Sequence, residues 1–468
     1  MASQRPPPKI FVVSNRLPIT VKRTDSGRYD ICPSSGGLIC ALDGLVGITG
    51  FSWYGWPGIE VPEGDKEEVQ RELQKSNAVP IFLEGDIADK YYNGFSNKIL
   101  WPLLHYQMHE IKICSADWDA YQSVNRAFAT ALVPVLEEGD VVWIQDYHLF
   151  LLPSYLRQLL ELAKKKVKLG FFLHTVFPSS DFFRILPMRR DILEGLLACD
   201  VVGFHNCDYT THFLESCEKI LGLERRNSQI VFQNRTVTAL TNPIGIETEK
   251  FSRLLDEPTV QDRCKDLKEG YKGMQLMISV DRLDYIKGIP LRIAAIDKLL
   301  TKHPELVGKC ALMQVIIPSR EEVPGYQELH TSIDASVSAV NAKYEYTPIQ
   351  SLFSSVSQAE LTSLYATADV CIVSSTRDGF NVVSLEYIAC QKARHGVLLL
   401  SEFAGAAGIL TESVKFNPWD TDGFAEAIFR SLTMSEDEKE SRWERLNQKI
   451  EDNSSKKWGQ TFLEALSQ

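Results

Sequence analysis

The chain has 468 residues, of which 44% are hydrophobic and 24% charged, and its formal net charge is -11. That length exceeds one ordinary domain and suits two or three, and the composition is that of a globular protein in water. The acidic balance excludes nucleic acid as the main partner, because no basic excess exists to neutralise phosphates, although a local pocket for one small anion is compatible with it.

Residues 1–9 are polar and proline-rich, and the apolar run at 10–13 is too short for a secretion signal. No apolar run approaches membrane-spanning length. Strand-like runs fall at residues 9–13, 141–144, 169–173 and 201–204, alternating with helical patterns. Residues 116–137 predict a helix with Trp118, Tyr121, Phe128, Leu132, Val135 and Leu136 on one face. Residues 149–166 predict another, whose lysine-rich last turn would complement the helix dipole. After Thr241-Asn242-Pro243-Ile244-Gly245 the pattern restarts, with strands at 274–280, 311–317, 370–373 and 397–400. Ser435 followed by Glu438 predicts a capping box opening an acidic helix. Trp458, Phe462 and Leu466 mark a last amphipathic helix, which needs a surface to cover.

This alternation predicts an α/β protein with two Rossmann-like doubly wound domains, residues 1–245 and 246–440. Residues 441–468 are expected to form a helical segment that packs back on the first domain. Ligands of doubly wound sheets bind outside the strands' carboxyl ends, so the expected site is the cleft between two facing sheet edges. The ten cysteines include no Cys-x-x-Cys pair and no histidine at zinc spacing. They read as reduced thiols, hence a cytoplasmic protein.

Two segments carry most of the chemistry. Asp281-Arg282-Leu283-Asp284-Tyr285-Ile286-Lys287-Gly288 closes one predicted strand. Arg377-Asp378-Gly379-Phe380-Asn381-Val382-Val383-Ser384-Leu385-Glu386 lies between another strand and a helix. Two fixed cations, Arg282 and Lys287, with the first helical amides near Asn381, Val382 and Val383, suit a diphosphate. Asp378 and Glu386 suit hydroxyls, Glu386 those of a ribose. Together they describe a sugar nucleotide. Positioned cations ease the departure of a diphosphate, and losing one such group commonly costs on the order of 10²–10³ in rate.

Further candidates end other predicted strands. Arg16, Asp146, His174 and Arg320 do so, and Gly36-Gly37 opens a helical pattern where a phosphate could approach. Trp53, Trp56, Tyr91, Tyr92 and Trp101 form an aromatic-rich stretch, part of it core and part of it fit to pack on sugar rings. Neither a Gly-x-Ser-x-Gly elbow nor a His-Glu-x-x-His metal motif occurs, so neither a serine nucleophile nor a metal is expected.

These segments join Val12-Val13-Ser14-Asn15-Arg16-Leu17-Pro18, Gly36-Gly37-Leu38, Gly55-Trp56-Pro57-Gly58, Tyr91-Tyr92-Asn93, Leu100-Trp101-Pro102, Asp146-Tyr147-His148 and Ser401-Glu402-Phe403-Ala404-Gly405-Ala406. As a set they resemble the trehalose-6-phosphate synthase family of fungal type, retaining UDP-forming glycosyltransferases of GT-B architecture. The resemblance implies a UDP-glucose site of Gly37, His174, Arg282, Lys287, Asp378, Asn381, Val382, Val383 and Glu386. It implies that Arg16, Tyr92 and Arg320 hold the phosphate of glucose 6-phosphate, and that Trp56, Trp101 and Asp146 contact its sugar. Arg282, Lys287, Asp146 and His174 would carry catalysis, without cofactor or metal. The implied partners are small-molecule substrates, a trehalose-6-phosphate phosphatase and regulatory subunits of a trehalose-synthesising complex, with self-association compatible and neither nucleic acid nor membrane involved. Val176 stands where the family usually has Pro, Phe380 where Met or Leu is usual, and Cys207-Asp208-Tyr209-Thr210-Thr211-His212 departs from a common fungal pattern. The alternative is a non-catalytic regulatory subunit with the same fold.

Overall fold

Apolar β-branched runs covered on both faces make parallel strands, and they build two sheets here. The computed structural model describes residues 8–24, 26–34, 42, 44, 50–318 and 324–468. The first sheet draws on β1 (Ile10–Arg16), then, past a small hairpin of β2 (Ile19–Arg23) and β3 (Tyr29–Pro33), on β4 (Phe51–Trp56) and β5 (Ala78–Pro80). It continues with β6 (Val141–Gln145), β7 (Lys168–Phe172), β8 (Val201–Phe204), β9 (Arg225–Arg226), β10 (Gln229–Phe232) and β11 (Arg235–Thr241). Its order is β5-β4-β1-β6-β7-β8-β11-β10-β9. The strands from β5 to β11 are parallel, and β10 and β9 turn back antiparallel at one edge.

The second sheet holds β12 (Gln275–Arg282), β13 (Cys310–Ile317), β14 (Ile349–Phe353), β15 (Val370–Val373), β16 (Val397–Ser401) and β17 (Val414–Phe416). All its pairings are parallel, in the order β14-β13-β12-β15-β16-β17. Counted from its own first strand, the second sheet reverses direction once, and so does the first up to β8, before its antiparallel edge. The reversal lies between β1 and β6 in one sheet and between β12 and β15 in the other. In doubly wound sheets the loops leaving the strands at such a reversal run to opposite faces, and ligands bind in the crevice left at the carboxyl edge.

The chain divides into one unit of Met1–Ile244 with Ser455–Gln468 and another of Gly245–Ser454. The expected closing segment at 441–468 is thus too long. The helix Glu436–Glu451, capped by Ser435 as its sequence predicts, belongs to the second unit. Leu446 and Ile450 are buried, Trp443 Nε1 donates to Ile388 O at 3.1 Å, and Arg442 Nη1 donates to Glu412 O at 2.7 Å. Only the helix Ser455–Ser467 returns to the first unit.

Two predicted helices end early. Residues 116–137 give Ser115–Leu132, so Val135 lies past the helix and is exposed rather than on its buried face. Residues 149–166 give Leu152–Leu162, and the lysines fall beyond its end, with Lys164 left-handed at φ 55°. Lys165 does not serve that helix's own dipole. Lys165 Nζ instead donates to Val133 O at 2.9 Å and Leu136 O at 2.7 Å, carbonyls just past the end of the preceding helix.

The closing helix buries Trp458, Phe462 and Leu466. Phe462 stacks on Trp143 of β6 with centroids 4.6 Å apart, and Trp458 meets the same ring at 4.7 Å. Gly170 in β7 makes the room, since a Cβ there would stand 2.6 Å from the Phe462 ring. Asn242 Nδ2 donates to Trp458 O at 2.8 Å and ties the helix down at its start. Truncating a fully buried tryptophan removes its transfer free energy and leaves a cavity. Trp458→Ala is therefore expected to destabilise the protein by about 3–5 kcal/mol in urea unfolding. A loss below about 1 kcal/mol would remove the helix from the core of its unit.

Candidate active site

In the second unit the reversal between β12 and β15 is flanked by the two charged segments. β12 ends on exposed Arg282, and the chain then makes a tight turn. Asp284 caps that turn by accepting from Ile286 N at 3.3 Å. Gly288 closes it at φ 63°, and a Cβ there would overlap the Ser374 carbonyl oxygen, so only glycine fits on both counts. Lys287 is buried, and its Nζ donates to Asp378 Oδ2 at 2.6 Å. The same oxygen accepts from Ser375 Oγ at 3.0 Å and Asn381 Nδ2 at 3.0 Å. Burial alone would raise the Asp378 carboxyl, but the Lys287 ammonium and these donors outweigh it and hold it down at about 2. The stability so gained is present above the ordinary aspartate range and is lost as pH falls through the lowered value.

The loop holding Asp378 is stapled by the segment after β16. Asp378 N donates to Phe403 O at 3.2 Å, Gly405 N to Asp378 O at 3.0 Å, and Ala406 N to Phe380 O at 2.9 Å. This gives the Ser401–Ala406 motif a structural task. Asn381 takes the left-handed conformation at φ 77°, which an asparagine tolerates, and starts the helix Val383–Ala389. Amides 381–383 thus sit at a helix start, where intrahelical acceptors do not reach them. Glu386 projects from the first turn, and its Oε2 accepts from Tyr365 OH at 3.1 Å. Burial pushes the Glu386 carboxyl up to about 7, against the opposing pull of the Tyr365 hydroxyl and the Lys250 ammonium.

In the first unit the reversal between β1 and β6 carries a different set. Arg16 ends β1 and is the register partner of Trp56 at the end of β4. Its guanidinium lies 4.9 Å over the Trp56 ring. Gly58, at φ 89°, lies against that guanidinium, and any Cβ there would overlap it. Trp56 contacts Tyr92 at 6.3 Å, Tyr92 stacks on His148 at 5.7 Å, and Trp101 meets Tyr147 at 5.8 Å. Tyr92 lies on a π-helix, Lys90–Leu100, that runs straight into Trp101. Such a register is rare and recurs at functional sites. Trp56 and Trp101 are buried like Trp53 and Tyr91, whereas Tyr92 is half-buried.

Asp146 follows β6 with φ 71° and ψ 167°, a conformation costing a non-glycine residue on the order of 1–3 kcal/mol. Three contacts hold it there: Asp146 N donates to Phe172 O at 2.8 Å, Leu149 N to Asp146 O at 3.2 Å, and His174 N to Asp146 Oδ1 at 3.2 Å. His174 Nε2 meets Gln145 Oε1 at 2.9 Å, and its ring lies among Phe172, His205 and Trp458. Loss of water there pulls its pKa well down, so the imidazole is neutral at pH 7.

The structure thus brings Arg282, Lys287, Asp378, Asn381, Val382, Val383 and Glu386 together in one unit. It brings Arg16, Trp56, Tyr92, Trp101, Asp146 and His174 together in the other. Gly37 and Arg320 lie outside the described residues. Gly58, Gln145, His148, Ser375 and Tyr365 were not among the sequence candidates. The first three adjoin or fall within motifs already noted. Tyr365 sits on a separate helix, Gln358–Thr367, with no local signal. Val176 and Phe380, two departures from the family pattern, are buried packing residues. Among the described residues, no group of three or more His, Cys, Asp or Glu side chains could hold a metal ion. Every described cysteine is a free thiol, and no helix among the described residues is long and apolar enough to cross a membrane.

Comparison with known proteins agrees with this arrangement. The chain is 49% identical to an Aspergillus niger alpha,alpha-trehalose-phosphate synthase [UDP-forming] 2, over 98% of this chain and 97% of that one. It is similar to an E. coli structure described as trehalose-6-phosphate bound with UDP-2-fluoro glucose, at 32% identity and TM-score 0.88, covering 98% of this chain and 99% of that one. It is also similar to a Burkholderia xenovorans alpha,alpha-trehalose-phosphate synthase (UDP-forming) in complex with glucose-6-phosphate, at 29% identity and TM-score 0.87, covering 98% and 100%. Its two doubly wound units are those of the GT-B architecture. The model of glycosyltransferase family 20 matches residues 8–468, and the chain belongs to that family of enzymes.

Proposed function

We propose that this chain transfers glucose from UDP-glucose to glucose 6-phosphate, giving α,α-trehalose 6-phosphate and UDP. The observation that carries this reading is the buried Lys287 ammonium beside Asp378, with Arg282 on the same turn, at the reversal of a doubly wound sheet. Near-full-length similarity to proteins named for that reaction supports it.

On the donor side, Lys287 and Arg282 take up the charge that grows on the diphosphate as the glycosidic bond breaks. The amides of Asn381, Val382 and Val383 face the same phosphates, and the family resemblance adds Gly37 to the donor set. Asp378 holds the Lys287 side chain in place and accepts from glucose hydroxyls, and Glu386 accepts from the ribose diol. His174, neutral, offers a hydrogen bond without competing for the diphosphate. On the acceptor side, Arg16, Tyr92 and Arg320 hold the phosphate, while Trp56, Trp101 and Asp146 orient the sugar. No side chain supplies a nucleophile. The acceptor's anomeric hydroxyl forms the new bond on the face that UDP leaves, its proton passes to a phosphate oxygen of UDP, and configuration is retained. Two cations neutralise the leaving group, so this route calls for no metal. Partners beyond small molecules, a phosphatase and regulatory subunits, rest on the family resemblance alone, and a cytoplasmic location rests on the reading of the cysteines as reduced thiols.

The direct test is UDP release by the purified chain. It should require both UDP-glucose and glucose 6-phosphate, and a chain with no acceptor-dependent release would be a regulatory subunit instead. Arg282→Ala combined with Lys287→Met should lower turnover by at least about 10²–10³ with the circular dichroism spectrum intact. Near-normal turnover would end the leaving-group assignment.

Gly58→Ala forces the Arg16 guanidinium off Trp56. It should raise KM for glucose 6-phosphate roughly 10-fold or more while leaving UDP binding unchanged. An unaltered KM would take Arg16 out of the acceptor site.

Glu386 must be ionised to accept both ribose hydroxyls, and the groups facing it are Tyr365 and Lys250. UDP-glucose has no proton of its own to lose near neutrality, so its affinity should rise from about pH 6 to about pH 8 as Glu386 ionises. Glu386→Gln should flatten that profile; a wild-type profile already flat would separate Glu386 from the ribose.

A further inference from the structure

Beneath the Lys287 turn lies a group of buried polar side chains that the proposed mechanism does not use. Arg292 and Ser374 are fully buried, and Asp281 is nearly so. Arg292 Nη2 stands 2.9 Å from Asp281 Oδ2, and the same nitrogen lies 3.5 Å from Gln314 Oε1. The approach to Asp281 is poorly aligned for a hydrogen bond, so charge holds that pair. Arg292 Nη1 donates to Ser374 Oγ at 2.7 Å, and Ser374 Oγ donates in turn to Lys287 O at 2.9 Å. A hydroxyl has one proton to give, and the nearer carbonyl takes it; Gly288 O is farther, at 3.4 Å. One residue back, Thr376 N donates to Ile286 O at 2.7 Å. Two successive carbonyls of the turn are therefore gripped from below, and that fixes the direction in which the Lys287 side chain leaves the backbone.

A buried ion pair is a poor way to stabilise a fold, because desolvation offsets much of its attraction. A pair kept at such a place is better explained by what it orients. We propose that Ser374, polarised by the Arg292–Asp281 pair, is a positioning residue that aims Lys287 at the diphosphate. This rests on the donor reading above. It predicts an energetic coupling between Ser374 and Lys287 that a general packing role would not produce.

The test is a double-mutant cycle read by calorimetric binding of UDP. Ser374→Ala should weaken UDP about fivefold to tenfold in the otherwise unaltered protein, as expected for one lost hydrogen bond. In the Lys287→Met background the same change should weaken it less than about twofold. Thermal unfolding checks that each variant is folded, and Ser374→Thr, which keeps the hydroxyl, should restore binding if Ser374→Ala proves unstable. Equal losses in both backgrounds, no loss in the unaltered protein, or failure of Ser374→Thr to restore binding would overturn the positioning role. Absence of UDP binding by the unaltered protein would overturn the donor reading, and this role with it.

Discussion

A lysine can be buried at the edge of a sheet only if a counter-charge and hydrogen bonds replace the water it loses. Lys287 meets that requirement through Asp378, and the requirement reaches outward from there. Asp378 must stay ionised, so Ser375 and Asn381 donate to it. Its loop must not drift, so residues 403–406 staple it from the neighbouring strand end. The turn carrying Lys287 must be tight, so Gly288 adopts a left-handed conformation against the Ser374 carbonyl. Each of these residues would be unremarkable alone. Together they hold one ammonium group at the point where a parallel sheet reverses.

The two units use the same topology for different tasks. Both sheets have a reversal next to their first strand, and both place candidate residues on or around the loops at the strand ends there. In the second unit those loops carry paired charges, backbone amides and a carboxyl, which suit a phosphorylated nucleotide. In the first unit the surroundings of those loops hold one arginine lying on an indole, a run of stacked aromatic rings and an aspartate in a strained conformation. The strain at Asp146 is tolerated because Phe172 and His174 on the next strand end over-determine its position.

Strand positions were legible because parallel strands buried on both faces are nearly unbroken apolar runs, as β12 and β15 show. The charged segments were legible because each follows such a run directly. The helix ends were not. Periodicity continues through Val135 and through the lysines after Leu162, but the backbone stops where carbonyls find partners elsewhere, as Lys165 demonstrates. The closing segment departs from its expected bounds for a related reason. Leu446 and Ile450 signal a covered face without saying which sheet covers it. Tyr365 and Ser374 carry no local signal because their importance lies in contacts to residues distant along the chain, Glu386 for one and Lys287 and Arg292 for the other.

The second unit is an insertion: residues 245–454 interrupt a unit whose last helix is Ser455–Ser467. During translation the inserted sheet is therefore complete before that helix has been made. Trp143 and Phe172 must wait for Trp458 and Phe462, with an apolar sheet face uncovered while more than two hundred intervening residues emerge. The half that starts first finishes last. Chaperone demand, and the damage done by premature termination, should concentrate on that bare face.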